Sequence, residues 1–381
     1  MTEGIQTRGR ITAPAQVYWP ALDGLRGLAI IAVLLHNTTG IQVDASLADK
    51  LWTFVVDAGW VGVQLFFVLS GFLITGILLR SRDKPHALRT FYTRRALRIF
   101  PLYYLFLLGR FLLVPLFLPL AAVSFGKQLP FWLYLSNWGD LLTSHPVVPM
   151  GHFWSLAVEE QFYLVWPALA LIVPLRRFAW ICGGIVLTAL GFRIAMHLGS
   201  LPGQWMYEST ITRADALAMG ALVAIAFHDA RGQEWFRRAR KTIMVGACVG
   251  LACIMVFAHG LSRFEWLVQT LGYSLLAVVF AWLVAECATA TPGGWRRWLA
   301  LPWLRLIGKY SYAIYIVHVP VKYVLVHYAA AHAIRIGAAQ SIMRDMAFIA
   351  LVGVISFVIA ALTFIVIERP ILRFKQRTVP G

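Results

Sequence analysis

Ten apolar stretches organise this chain, at roughly 21–39, 58–79, 100–121, 152–174, 178–197, 212–228, 242–259, 266–286, 304–328 and 345–367. At about 1.5 Å per residue, each is long enough as a helix to cross most or all of a hydrocarbon layer about 30 Å thick. With 60% hydrophobic and only 13% charged residues among 381, the chain holds more apolar side chain than one soluble core can bury. The expected fold is an all-α polytopic membrane protein, with about ten transmembrane helices around a central cavity. No metal-ligand spacing stands out, and Cys182, Cys248, Cys253 and Cys287 lie in or beside apolar helices without a Cys-x-x-Cys pair. They read as small packing residues.

The formal net charge is +17, but the basic residues sit in short clusters between apolar stretches, which argues against nucleic acid as a partner. Of the 34 lysines and arginines, 25 fall in alternate segments, 1–26, 80–98, 175–177, 229–241, 287–309 and 368–381. The positive-inside rule then places both termini in the cytoplasm of a multi-pass cell-membrane protein surrounded by lipid. The first twenty residues lack an apolar signal core, so the first stretch reads as a retained span. The expected layout is a cytoplasmic tail over 1–20, a transmembrane domain over 21–370 and a cytoplasmic tail over 371–381. Segment 122–151 is the longest outer loop, and its Trp132, Tyr134 and Trp138 suit an interfacial belt.

Charged and titratable groups inside the spans mark the candidate site. His36 follows Arg26 by ten positions, about 15 Å of helix, so with Arg26 at one face the imidazole lies near mid-layer. The stretch from His152 to Tyr163 carries Ser155 and the adjacent Glu159 and Glu160. An acidic group near a bilayer centre costs at least about 2.5 kcal/mol, which favours a functional role. Consecutive helical residues point about 100° apart, so one carboxylate is expected to face His36 while the other meets an arginine or a helix dipole. Arg94 or Arg95 stacks over Arg98 at helical spacing and forms a forked cationic surface suited to phosphates or to anionic lipid. Arg213 with Asp215 reads as a pair opening span six, and Ser311, Tyr312 and His318 place hydroxyls and a second deep histidine in span nine.

Taken together, these segments resemble the acyltransferase-3 family of integral membrane acyltransferases. The likeness rests on Leu22 through Gly27 with His36, Gly62 through Ile74, Arg94, Arg95 and Arg98 with Pro101, and His152 through Tyr163. It continues in Arg213 with Asp215 and Gly220, Ser311 through His318, and Glu368-Arg369-Pro370. The resemblance implies transfer of an acyl group, usually acetyl, from cytoplasmic acyl-CoA to a hydroxyl of a glycan, a lipid-linked sugar or a secreted metabolite. It implies no tightly bound cofactor and no metal, with acetyl-CoA as a co-substrate. Some members add a C-terminal SGNH domain; the residues after 370 are too few for one. The family commonly places ten residues between the arginine and the histidine. Here there are nine, which leaves the two side chains about 80° apart and suggests separate duties.

In the mechanism this implies, Arg26, Arg94, Arg95 and Arg98 hold the donor, and His36 acts as general base with Glu159 or Glu160 orienting its ring. His152, Ser155, Tyr163, Arg213, Asp215, Ser311, Tyr312 and His318 line the substrate cavity. An acyl-enzyme on His36 or a serine is an open variant. The alternative function is a proton-coupled transporter or flippase with His36 and the glutamates as its relay.

Overall fold

The computed structural model describes residues 18–39, 46–138, 147–288, 294–331 and 341–378. The expected tail over 1–20 falls, through residue 17, outside the described residues, as does part 139–146 of the expected outer loop. Among the described residues the chain is helical and contains no strand. The helices are α1 (Pro20–Thr38), α2 (Leu47–Asp57), α3 (Val61–Leu79), α4 (Ala87–Leu108), α5 (Phe125–Trp132), α6 (Trp154–Ile172) and α7 (Leu175–Leu198). They continue as α8 (Gly203–Glu208), α9 (Thr210–Ala226), α10 (Ala230–Phe257), α11 (Tyr273–Cys287), α12 (Pro302–Ala331), α13 (Ile342–Thr363) and α14 (Arg369–Thr378).

Length and apolarity together single out seven membrane-crossing helices among the described residues, against the ten expected. The three that fall short are α1, α6 and α12. These are the helices that carry Arg26 and His36, the two glutamates, and the hydroxyl row with His318. These polar side chains lower their apolarity. The tail expected over 371–381 is helical through Thr378, because α14 follows α13 across a single π-helical turn, Phe364–Glu368.

Burial separates an inner ring from an outer one. In the apolar windows of Leu47–Leu79 and Gly203–Ala226, 67% is buried, against 11% in α10. Helices α3 and α9 therefore form the centre, with α1 packed on α3 and α12, while α10 faces outward. Small residues permit this closeness, as in membrane bundles where backbones approach without bulky side chains. A Cβ on Gly220 of α9 would stand 2.0 Å from Val68 O of α3, and one on Gly308 of α12 would stand 1.9 Å from Asp23 O of α1.

Gly220→Val is accordingly expected to push α9 off α3. The overpacking should cost at least about 1–3 kcal/mol, read as a lower melting temperature in detergent. Gly184→Ala on α7, where an added Cβ meets nothing within 4 Å, should instead gain up to about 1 kcal/mol from helix propensity.

Candidate active site

The first turns of α1 and α6, the length of α3 and the middles of α4 and α12 enclose a first cavity of about 370 Å³. Arg26, Arg95 and Arg98 line it together with Glu159 and Glu160. The spacing of Arg95 and Arg98, three apart on α4, puts both on one face. Arg94, turned about 100° away from Arg95, does not line the cavity. Arg95 also stacks on the Tyr163 ring, 3.8 Å from its centroid. Glu159 is held by local hydroxyls: Ser70 Oγ donates to Oε1 at 2.9 Å, and Tyr163 OH lies 2.8 Å from Oε2. Asp23 accepts from Tyr18 OH at 2.7 Å. Arg26 and Arg98 are near enough to repel one another. Among the described residues, none of the three cavity arginines forms an ion pair within 4.0 Å. Carboxylates line the same cavity but none pairs directly with these arginines, so the cationic forks are left available to a multiply charged anion.

A second cavity, of about 460 Å³, opens at the other end of α1. His36, in the last turn of α1, lines it with Asn37, Trp60, Trp154, Tyr207, Arg263 and Lys322. The imidazole Nδ1 lies 3.1 Å from Val56 O, and Nε2 meets Arg263 Nη1. A carbonyl only accepts and a guanidinium only donates. His36 is therefore neutral, with its proton on Nδ1 and its lone pair on Nε2 facing the cavity side where Arg263 stands. Lys322 Nζ donates to Asn37 O at 2.8 Å.

One thin wall separates the two cavities, and Tyr315 and Val63 line both. The Tyr315 hydroxyl pairs with Ser155 Oγ and sits 2.9 Å from His152 O. Behind it, His152 Nε2 donates to Ile316 O at 3.3 Å, and the His152 ring lies 5.0 Å from that of His318. His318 Nδ1 donates to Tyr315 O at 2.7 Å, which leaves Nε2 to accept from Asn37 Nδ2 at 3.1 Å. The wall thus joins α6, α12 and α1 through hydrogen bonds that a rearrangement of Tyr315 would break.

Comparison with known proteins bears on these two linked cavities. The sequence profile of the acyltransferase-3 family, described as an acyltransferase domain, matches residues 19–367. The chain belongs to that family. It is 28% identical to the peptidoglycan O-acetyltransferase OatA of Listeria monocytogenes over 336 residues, covering 82% of this chain and 50% of the relative. It is 26% identical to the O-acetyltransferase OatA of Staphylococcus aureus over 324 residues, covering 80% of this chain and 50% of the relative. The chain thus spans about half the length of these relatives. No solved structure matches it.

Within this acyltransferase-3 bundle, the expected site residues other than Arg94 are divided between the two cavities and the packed core. Arg26, Arg95, Arg98, Glu159, Glu160, Ser155, Ser311 and Tyr312 line the first cavity, and His36 and His152 the second. Neither glutamate bonds to His36, contrary to expectation. The ring is oriented by the Val56 carbonyl, because α6 brings its carboxylates to the opposite side of the Tyr315 wall. The mid-layer depth expected for His36 counted Arg26 as a face. The helix instead begins at Pro20, so Arg26 stands almost two turns in and His36 at the far end. Tyr163, His318, Arg213 and Asp215 line neither cavity. Among the described residues, no group of three or more His, Cys, Asp or Glu suits a metal.

The Arg213–Asp215 pair also changes. Asp215 pairs with Arg193 of α7 at 2.9 Å, both fully buried, and accepts from Ser274 Oγ at 2.8 Å. Two residues apart on a helix, Arg213 and Asp215 point about 200° apart and cannot share a partner easily. Arg213 instead lies among aromatic faces, with its Cζ 4.3 Å from the Tyr273 centroid and 5.3 Å from that of Tyr207. Sequence reasoning passed over Arg193 and Arg263. A lone arginine within the apolar stretch 178–197 was a readable signal for the first; nothing local marks the second.

Asp215→Leu should leave Arg193 buried and unpaired and cost about 3–5 kcal/mol. Removing both charges, as Arg193→Met with Asp215→Leu, should recover most of that loss in a detergent melt.

Proposed function

We propose that the chain is a membrane-embedded O-acyltransferase that moves an acetyl group from acetyl-CoA in the first cavity to a hydroxyl acceptor in the second. The observation that carries this reading is the pairing of an anion-binding cavity with a cavity holding a neutral imidazole, across one hydrogen-bonded wall. Arg26, Arg95 and Arg98 meet the phosphates of the donor, which arrives from the cytoplasm at the end where basic residues concentrate. Its thioester extends toward Tyr315 and Ser155, and the wall parts to admit it. The names of the OatA relatives support acetyl as the group and a carbohydrate as the acceptor. The aromatic faces of Trp60, Trp154 and Tyr207 in the second cavity suit sugar rings.

In the transfer step His36 Nε2 takes the proton of the acceptor hydroxyl as its oxygen attacks the thioester carbonyl. The new C–O bond forms, the C–S bond breaks, and the proton passes from His36 to the departing thiolate. A thioester is already activated, so positioning and proton removal suffice. Glu159, bound to Ser70 and Tyr163, holds α6 against α3 and balances charge beside the arginines.

Purified protein in liposomes with labelled acetyl-CoA and a hydroxyl acceptor tests this. The enzyme reading expects an acetylated product, whereas a transporter would deliver unmodified solute. His36→Ala should abolish transfer in a protein that still folds and inserts; retained transfer would overturn the general-base role. Arg98→Ala should raise KM for acetyl-CoA at least about tenfold, as loss of a charge-assisted contact does. Arg94→Ala, outside the cavity, should change KM far less.

A further inference from the structure

Arg263 is not explained by the transfer step, and its position is peculiar. It stands in the short connection between α10 and α11 and reaches into the second cavity to donate to the one nitrogen that the reaction requires. While that bond stands, His36 Nε2 has no lone pair to offer an acceptor hydroxyl. The resting site is closed by its own arginine.

We propose that Arg263 is the receptor for an acidic group on the acceptor, and that the acceptor is a sugar bearing a carboxylate or phosphate. This deepens the reading of the second cavity as the acceptor site and rests on it. Among the described residues Arg263 forms no ion pair within 4.0 Å. Its side-chain hydrogen-bond partners are uncharged, the His36 imidazole and the Tyr207 hydroxyl, both weaker acceptors for a guanidinium than an oxyanion. Its Cζ lies 5.1 and 4.8 Å from the centroids of the Tyr207 and Phe264 rings, uncharged neighbours that leave its charge to be neutralised by a ligand. An acidic group would therefore win Arg263 from His36 by forming a bidentate pair.

The surrounding charges favour the same ligand. Lys322 lines the cavity as a second cation, and its two hydrogen bonds go to backbone carbonyls, Asn37 O and Thr39 O. Glu208 is the one acidic residue in the described lining, and Gln204 Nε2 already donates to it. An acidic sugar would draw Arg263 away and bare Nε2 beside its own hydroxyl. Binding and base activation become one event, so a neutral molecule such as water does not trigger it.

Matched probe pairs test the proposal in the intact protein: glucuronic acid against glucose, and glycerol phosphate against glycerol. They are measured with wild type, Arg263→Gln and Arg263→Lys in detergent melts and in acetyl transfer from labelled acetyl-CoA. At least one acidic probe should raise the wild-type melting temperature where its neutral partner does not. Arg263→Gln should abolish that shift, and Arg263→Lys should keep part of it. In transfer, kcat/KM for the acidic member should exceed that for its neutral partner at least about tenfold, and Arg263→Gln should erase the ratio. The carboxylate and phosphate arms separate the two anion types. If no acidic probe shifts the wild-type melt, or if the shift survives in Arg263→Gln, the proposal falls. Transfer to neutral probes in that case would leave the acyltransferase reading standing. Arg263-dependent binding with no transfer to any probe would overturn acyl transfer in the second cavity and leave the anion site.

Discussion

Charge placed inside an apolar bundle must be answered by the protein itself, because lipid offers no hydrogen bonds. This chain answers its buried charges in three ways. Arg193 and Asp215 neutralise one another and bind α7 to α9. Arg213 is wrapped in aromatic faces from α3, α6, α8 and α11. Arg26, Arg95 and Arg98 are left facing a cavity. The first arrangement holds the centre together, the second stiffens it, and the third is available to a ligand. Each cavity has its shape because the charges behind its walls are already settled.

The close approach of α3 to α9 and of α1 to α12 gives this arrangement its precision. Glycine at the crossings brings the backbones near enough for side chains of four helices to meet at one wall. Tyr315, Ser155, His152 and His318 then form a continuous hydrogen-bonded layer with Asn37. A wall made of hydroxyls and neutral imidazoles can rearrange without stranding a charge. That property suits a boundary between two compartments better than an ion pair would, since breaking a buried ion pair strands two charges.

Tautomer assignment links this wall to the chemistry. Both His36 and His318 give their Nδ1 proton to backbone carbonyls, His36 to Val56 on α2 and His318 to Tyr315 three residues back on α12. Each keeps Nε2 as an acceptor, one toward Arg263 and the other toward Asn37. A peptide carbonyl orients His36 as a carboxylate does elsewhere, without adding a second buried charge. Among the described residues, no carboxylate stands beside the His36 ring, and the two glutamates line the cavity of the three arginines instead.

The sequence by itself determined the membrane setting, the order of the helices and ten of the charged and polar residues that line a cavity. Those features follow from local rules: apolar length, charge density, and the cost of a polar group within a span. The nine residues between Arg26 and His36 even fixed that the two side chains point apart, since helical phase is set by counting. What tertiary structure decided is which polar groups meet. Glu159 and His36 lie at compatible depths by residue count, yet the wall between α6, α12 and α1 sends them to different cavities. Asp215 chose Arg193, distant in sequence, over Arg213, two residues away. Arg263 lies in a connection with no periodic pattern, and only the packing of α11 against α1 and α3 carries it to His36. Spacing along one helix sets direction, but contact between helices depends on crossing angles and close backbone approach, which one-dimensional patterns do not encode.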